Sequence, residues 1–260
     1  MELEQLKTRL AKLMPEVDFC SFRYDRGVSR YIAVRGGIAL PYNESNNSGI
    51  MVTIFDKGGI GYFAGSDITE EGLNAAIHSA KKWAEISSKN SVIDFSKIPM
   101  PSNKGKYSSI VGSEFTTVQT SEHYDYLLGV ESIINKKKYV IDSFAGLQHK
   151  EIERLYYASN GADIEQRFSY LIPSIGVRVS DGIEVIERSS NGDFGKQCGL
   201  ELLEEIEYKN MAANLLDEAK MLLKAENCPS DKRDLLLDAD QMLLQIHESI
   251  GHPLELDRIL

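Results

Sequence analysis

The amino-acid sequence predicts an α+β fold, with antiparallel sheets and packed helices in an N-terminal domain and the start of a second domain near the end. Short apolar and β-branched runs separated by glycines and asparagines indicate strands, and several longer segments repeat their apolar residues at helical spacing. The character of the sequence changes after Asn227, which places the domains at 1–228 and 229–260. A chain of 260 residues is long enough for two modest domains.

The N-terminal domain is predicted to begin with a short helix and to continue as hairpins. Leucines recur at helical spacing as far as residue 13, and Pro15 ends that segment. The residues Asp-Lys-Gly-Gly at 56–59 predict a hairpin turn, and Thr69 precedes a second amphipathic helix. The strands of this part are predicted at 17–24, 30–35, 50–55 and 60–63.

The middle of the chain is predicted to contain a long loop, two helices and further strands. Residues 88–117 are rich in Ser, Pro, Lys and Asn without periodicity, which is typical of a loop or linker. Helices are expected at 121–137 and at 200–225. The strands between them are predicted at 139–145, 152–158, 163–179 and 183–189.

The last thirty residues are predicted to contain one strand followed by one helix. The run of three leucines at 235–237 is typical of a strand that is covered on both faces. Residues 241–248 indicate a helix, with Asp238 or Asp240 as its N-cap. The apolar residues of this helix are expected to lie in a core.

Charge and composition exclude several classes of partner. The net charge of −10 and the pI near 5.1 argue against a general affinity for nucleic acid or for anionic membranes. The sequence contains no apolar stretch of the roughly 18 residues that cross a bilayer, and its N-terminus does not resemble a signal peptide, so we expect a cytoplasmic protein. The three cysteines, Cys20, Cys198 and Cys228, fit reduced thiols better than a disulfide framework.

The densest cluster of metal-ligating residue types lies near the end of the chain. His247, Glu248 and His252 fall within six residues. A hydrolytic zinc site needs neutral nitrogen ligands, an open position for water and a carboxylate near that water. We therefore interpret His247 and His252 as metal ligands and Glu248 as the general base.

The spacing of the two histidines sets a structural condition on this interpretation. The familiar H-E-x-x-H motif places its histidines four residues apart, whereas here they are five apart. On a regular helix such residues point about 140° apart. They converge only if the helix is distorted by a π-type bulge or ends near Gly251; otherwise the segment is a helix that happens to carry two histidines.

Residues 247–258 resemble the signature of the TldD/PmbA family of metallopeptidases, whose TldD-type members carry H-E-x-x-G-H-x-x-E-x-D. Residues 48–64 resemble the family's N-terminal segment, and residues 156–179 resemble the strands that follow it. The sequence Asn-Cys-Pro at 227–229 resembles the start of the family's catalytic domain. The similarity extends over nearly the whole chain.

The resemblance implies a cytoplasmic zinc-type metallopeptidase that cleaves flexible or unfolded peptides, as a homodimer or as a heterodimer with a related subunit. His247 and His252 match the family's metal ligands, and Glu248 matches its catalytic base. In the family a cysteine far downstream completes the metal site, and this sequence ends at Leu260. We therefore expect an incomplete chain, inactive alone, that holds only the beginning of the catalytic domain.

Several alternatives remain open at this point. Cys228, Glu255 or Asp257 could replace the downstream ligand, and Glu255 and Asp257 could instead orient the histidines. Zinc is favoured by the ligand types, although imidazole also suits iron, nickel and copper. The alternative function is a non-catalytic subunit or peptide-binding module of a paired assembly of this family.

The other three histidines are expected to be solvated. His78 falls on a charged helix, His123 near a helix start, and His149 in a turn.

Overall fold

The computed structural model describes residues 3–190 and 194–255, and it divides into two compact units, Met1–Lys224 and Ala225–Leu260. In the described part of the first unit, eight strands form a single sheet that is flanked by helices. The predicted α+β class is confirmed, with one sheet where several were expected. The assignment of functional domains to 1–228 and 229–260 stays a prediction.

The first unit alternates helices with hairpins. Its helices are α1 (Leu3–Leu13), α2 (Glu70–Ser88), α3 (Thr120–Glu131), α4 (Leu202–Glu205) and α5 (Tyr208–Leu222). Its strands are β1 (Phe19–Arg35), β2 (Ile38–Ala39), β3 (Asn43–Asp56), β4 (Gly59–Gly65), β5 (Lys104–Ser108), β6 (Val140–Ala158), β7 (Asp163–Ser180) and β8 (Val185–Ser189). The sheet has the order β4-β3-β1-β6-β7-β5, while β2 pairs with β1 and β8 with β7. The β5–β7 pair is parallel and the other named pairs are antiparallel.

Strands β1 and β6 form the long centre of the sheet. They pair without interruption from Ser21 opposite Ala158 to Arg35 opposite Phe144. The sequence predicted two strands in place of each, because the middle of both strands is polar. Pairing on both sides holds these polar segments extended, so tertiary context overrides the local pattern.

Two apolar clusters lie on the same face of the sheet. Side chains of a strand alternate between faces, so the even-numbered residues of β1 from Cys20 to Val34 share one face. Helices α1 and α2 cover one end of this face, and α3, α4 and α5 cover the other. Members of the first cluster include Leu6, Phe22, Ile54, Leu73 and Leu155, and members of the second include Ile32, Leu127, Leu147, Leu171, Tyr208 and Leu216.

The hairpin between β3 and β4 confirms the predicted turn. Lys57 and Gly58 connect the strands with φ angles of 52° and 80°. Gly61 on β4 then lies against α2, where an added Cβ would come within 2.0 Å of the Ala80 carbonyl oxygen. Only glycine permits this approach of strand to helix. Thr69 caps α2, its Oγ1 accepting the Gly72 N–H at 3.1 Å.

The structure corrects three predictions in the middle of the chain. The predicted loop 88–117 contains strand β5, whose five residues are all exposed, so the strand shows no apolar alternation. The single helix predicted at 200–225 is divided into α4 and α5 by Glu207, whose φ of 49° lies in the left-handed region. The helix predicted at 121–137 ends earlier, at Glu131.

The second unit contains α6 (Ala239–Ile246), which continues as a π-turn at His247–Gly251 and a 3₁₀ turn at His252–Leu254. The strand predicted at 235–237 was wrong: Leu235 and Leu236 are 79% and 95% exposed and adopt no strand. A strand needs a neighbour to pair with, and the described residues 225–255 provide none. The expectation of a core around α6 was also wrong, since Leu243 and Leu244 are exposed.

Among the helices that the structure describes, none combines the length and apolar character that a bilayer crossing requires.

Candidate metal centre

A π-turn brings the two motif histidines together. Over His247–Gly251 the helix is wound so that the His252 N–H donates to the His247 carbonyl oxygen, five residues earlier. Because each hydrogen bond then spans five residues, each turn holds more residues, and side chains five apart come to the same side of the helix. The helix distortion that the five-residue spacing requires is therefore present. It is the π-type form, one of the two that the sequence analysis predicts; the other is a helix end near Gly251.

The donor atoms of the motif converge. The ring centroids of His247 and His252 are 4.4 Å apart, with the rings nearly perpendicular. One ligand atom each from His247, Glu248 and His252 lies within 4.8 Å of the others. In a tetrahedral zinc site with bonds of about 2.0–2.1 Å, two nitrogens lie about 3.3 Å apart. The donor atoms therefore lie close enough together for the two imidazoles to suit a metal ion, with the carboxylate beside them.

Glu255 orients one of the imidazoles. Its Oε1 lies 2.6 Å from His252 Nδ1. Because an ionised carboxylate only accepts hydrogen bonds, this contact places the proton on Nδ1 and leaves the Nε2 lone pair available to a metal. Glu248 Oε2 lies 3.9 Å from that Nε2 atom. Asp257, the other residue considered for an orienting or ligating role, lies outside the described residues.

Cys228, the cysteine of the second unit, does not belong to this cluster as the structure describes it. Burial raises the pKa of the Cys20 thiol to about 12, and burial together with Glu201 and Glu205 raises the pKa of Cys198. A metal ligand must be a thiolate, so a raised pKa disfavours both residues. Cys228 is exposed and lies in the segment before α6.

Two of the remaining histidines are buried, against the sequence expectation. His149 lies on β6 rather than in a turn, and the Phe115 ring stacks between His123 and His149 at centroid distances of 4.2 and 4.7 Å. Desolvation by burial lowers the pKa of both imidazoles. Each finds polar partners instead of solvent: His123 contacts the Phe115 carbonyl, and His149 contacts Arg30 and Ser169. His78 is exposed on α2, as expected.

Comparison with known protein families gives two matches that together span most of the first unit. Residues 20–84 match the "PmbA/TldA metallopeptidase domain 1" model, and residues 113–223 match the "PmbA/TldA metallopeptidase central domain" model. Among curated proteins, Metalloprotease MJ0996 of Methanocaldococcus jannaschii is 24% identical over 268 residues, covering 97% of this chain and 55% of the relative. The chain thus spans about half the length of this relative.

Solved structures share the fold at low sequence identity. A candidate modulator of a DNA gyrase from Thermotoga maritima has a TM-score of 0.65 and 14% identity, over 88% of this chain and 50% of that one. TldE from Thermococcus kodakarensis has a TM-score of 0.57 and 15% identity, over 85% of this chain and 47% of that one. At such identities the likeness shows the fold alone, whereas the two family models show descent: the chain belongs to the PmbA/TldA (TldD/PmbA) metallopeptidase family.

Proposed function

We propose that this chain carries part of the active site of a zinc-dependent metallopeptidase that cleaves flexible or unfolded peptides. The observation that carries the proposal is the π-turn, which brings His247 and His252 to one side of the helix with Glu248 beside them. An α-helix of ordinary geometry would have separated the two imidazoles. In this proposal both histidines are metal ligands and Glu248 is the general base.

The chemistry follows from the positions of these side chains. A zinc ion held there would supply Lewis acidity toward the scissile carbonyl and toward a water molecule. Glu248 accepts the proton of the attacking water and later returns it to the leaving amine. Glu255 holds the His252 ring in one orientation and one tautomer, which keeps its Nε2 directed to the metal.

The full ligand set and the assembly are also proposals. We propose that a downstream cysteine absent from this sequence completes the site, that the 260-residue chain is inactive alone, and that it pairs with a second copy or with a related subunit. The length of the Methanocaldococcus relative, about twice that of this chain, supports the second point. A cytoplasmic location remains part of the same proposal.

Cobalt(II) binding tests the ligand assignment. Because the proposed cysteine is absent, we expect the chain alone to bind one cobalt ion weakly through its two histidines, and His247→Ala and His252→Ala each to lose that binding. His78→Ala is a matched control, because His78 is an exposed histidine on α2. A thiolate-to-metal charge-transfer band would assign a cysteine ligand, and its absence would favour Glu255, Asp257 or water. Cobalt binding that persists in both motif variants would refute the assignment.

Glu248→Gln separates the catalytic interpretation from the alternative, a non-catalytic subunit or peptide-binding module. In a preparation of this chain and its partner that cleaves an unfolded peptide, the variant should retain metal and lose cleavage, because glutamine cannot accept the proton. Unchanged cleavage would assign catalysis to the partner and leave this chain as the accessory subunit.

A further inference from the structure

A charged trough crosses the helix-bearing face of the sheet in the first unit. It is a cavity of about 540 Å³, with β1, β6 and β7 as its floor and the segment 108–114 as one wall. The floor residues belong to the same face as the two apolar clusters, since Arg26 pairs opposite Glu153, which pairs opposite Arg167. The trough therefore occupies a part of this face that the helices leave open.

The wall of the trough is held on both sides of Glu114. Glu201 accepts the backbone N–H groups of Gly112 and Ser113 at 3.0 and 2.9 Å. Immediately after Glu114, the buried Phe115 is stacked between two imidazoles. Glu114 thus projects from a fixed segment between two anchors.

Most charges in the trough are already neutralised. Arg30 pairs with Glu151 and Glu44, and Arg167 pairs with Glu153 at 3.1 Å. By contrast, the side chains of Arg26 and Glu114 have no ion pair or hydrogen bond with any described residue. One positive and one negative group therefore remain available to a ligand.

These two groups lie toward opposite ends of the trough. Arg30 is opposite His149, whose ring stacks on Phe115, so Glu114 lies toward the Arg30 end of the floor. Arg26 is four residues along β1 from Arg30, which corresponds to about 13 Å. An extended peptide spans at most about 3.3–3.6 Å per residue, so three or four residues bridge this distance.

We propose that the trough binds a short peptide of three or four residues with free termini, its carboxylate on Arg26 and its ammonium group on Glu114. The half-buried Val28 and Val111 also line the cavity and suit small uncharged side chains in between. The volume is that of an ordinary small-ligand pocket. This site goes beyond the proposed peptidase function, because it requires neither the metal nor the His247 motif.

Calorimetric titration of the metal-free, dialysed 260-residue chain with tri- and tetra-alanine tests the proposal. We expect a dissociation constant of about 1 mM or lower. Amidating the peptide carboxylate should weaken binding about tenfold, and so should Arg26→Gln, because each removes the same charge-assisted contact. The amidated peptide should then bind Arg26→Gln and the unaltered chain equally. Acetylating the peptide's amino group should likewise weaken binding about tenfold, and so should Glu114→Gln. The acetylated peptide should then bind Glu114→Gln and the unaltered chain equally.

The matched controls lie on other surfaces. Arg23→Gln changes an exposed arginine on the opposite face of β1, and Glu85→Gln changes an exposed glutamate on α2; both should bind tri-alanine normally. Absence of binding at about 10 mM peptide would overturn the proposal. So would equal binding of free and doubly blocked peptides, or an equal loss in Arg23→Gln and Arg26→Gln. Because no metal is present, none of these outcomes depends on the peptidase function.

Discussion

Glu201→Gln tests whether a single carboxylate anchors the wall of the trough. Glu201 accepts N–H groups from Gly112, Ser113 and Gly199 at 3.0, 2.9 and 2.8 Å. Burial raises its pKa, but these N–H groups outweigh burial and lower the pKa from 4.5 to about 2. The unfolded chain therefore takes up this proton at a higher pH than the folded protein does. The stabilisation is complete above about pH 4.5 and is lost as the pH falls toward 2.

The size of the effect follows from the same values. A pKa lowered from 4.5 to about 2 corresponds to about 3 kcal/mol at most. Because water partly screens this carboxylate, we expect about 1–2 kcal/mol. Urea unfolding at pH 7 should show that loss in Glu201→Gln, and at about pH 2 the variant and the unaltered protein should converge.

Glu204→Gln is the control, since Glu204 is exposed on α4, the helix that Glu201 immediately precedes. It should leave the free energy of unfolding nearly unchanged at both pH values. The free energies of unfolding of Glu201→Gln and the unaltered protein should differ less at about pH 2 than at pH 7. An equal difference at both pH values would refute the link between the lowered pKa of Glu201 and stability.

Three further perturbations have defined outcomes. Gly61→Ala places a Cβ 2.0 Å from the Ala80 carbonyl oxygen, and should cost about 3 kcal/mol and lower the melting temperature by roughly 6–12 °C in calorimetry. Tyr208→Phe removes a buried hydroxyl that donates to a strand carbonyl at 2.6 Å, and should cost about 1–2 kcal/mol in urea unfolding. Glu255→Gln leaves the His252 tautomer unfixed, and should weaken cobalt binding about 10-fold or more in a competition titration while His252 remains a ligand.

Each of these three predictions has a control or an outcome that would contradict it. Gly105→Ala meets open space on β5 and should be tolerated, so equal destabilisation of both glycine variants would refute the packing argument. A Tyr208→Phe protein as stable as the original would show that its hydroxyl has no net effect on stability. Cobalt affinity unchanged in Glu255→Gln would exclude an orienting role for that carboxylate.

The sequence predicted the helices and hairpins whose apolar residues face one side. The spacing of Leu3, Leu6 and Leu10 identified α1, and the Lys57-Gly58 pair identified the tight turn, because both signals are local. The sequence also sets the geometric condition for His247 and His252 to converge, since the helical period alone fixes the direction in which residues five apart point.

The predictions that were wrong concern strands and buried side chains that only contacts with other segments of the chain determine. The polar centres of β1 and β6 are extended because they pair on both sides, and β5 is a strand only through β7. His149 is buried because Phe115, 34 positions earlier in the sequence, covers it. The three leucines at 235–237 show the converse, since an apolar run without a pairing partner forms no strand in the described unit.

The long pairing of β1 with β6 has a consequence for how the molecule folds. The family's first model ends at residue 84 and its central model begins at residue 113, yet β1 belongs to the former and β6 to the latter. Each hydrophobic cluster draws side chains from β1 and β6, so neither stretch of sequence encloses a core without the other. These evolutionary modules are therefore one cooperative folding unit, and the amides at the centre of β1 should exchange with solvent only through global unfolding.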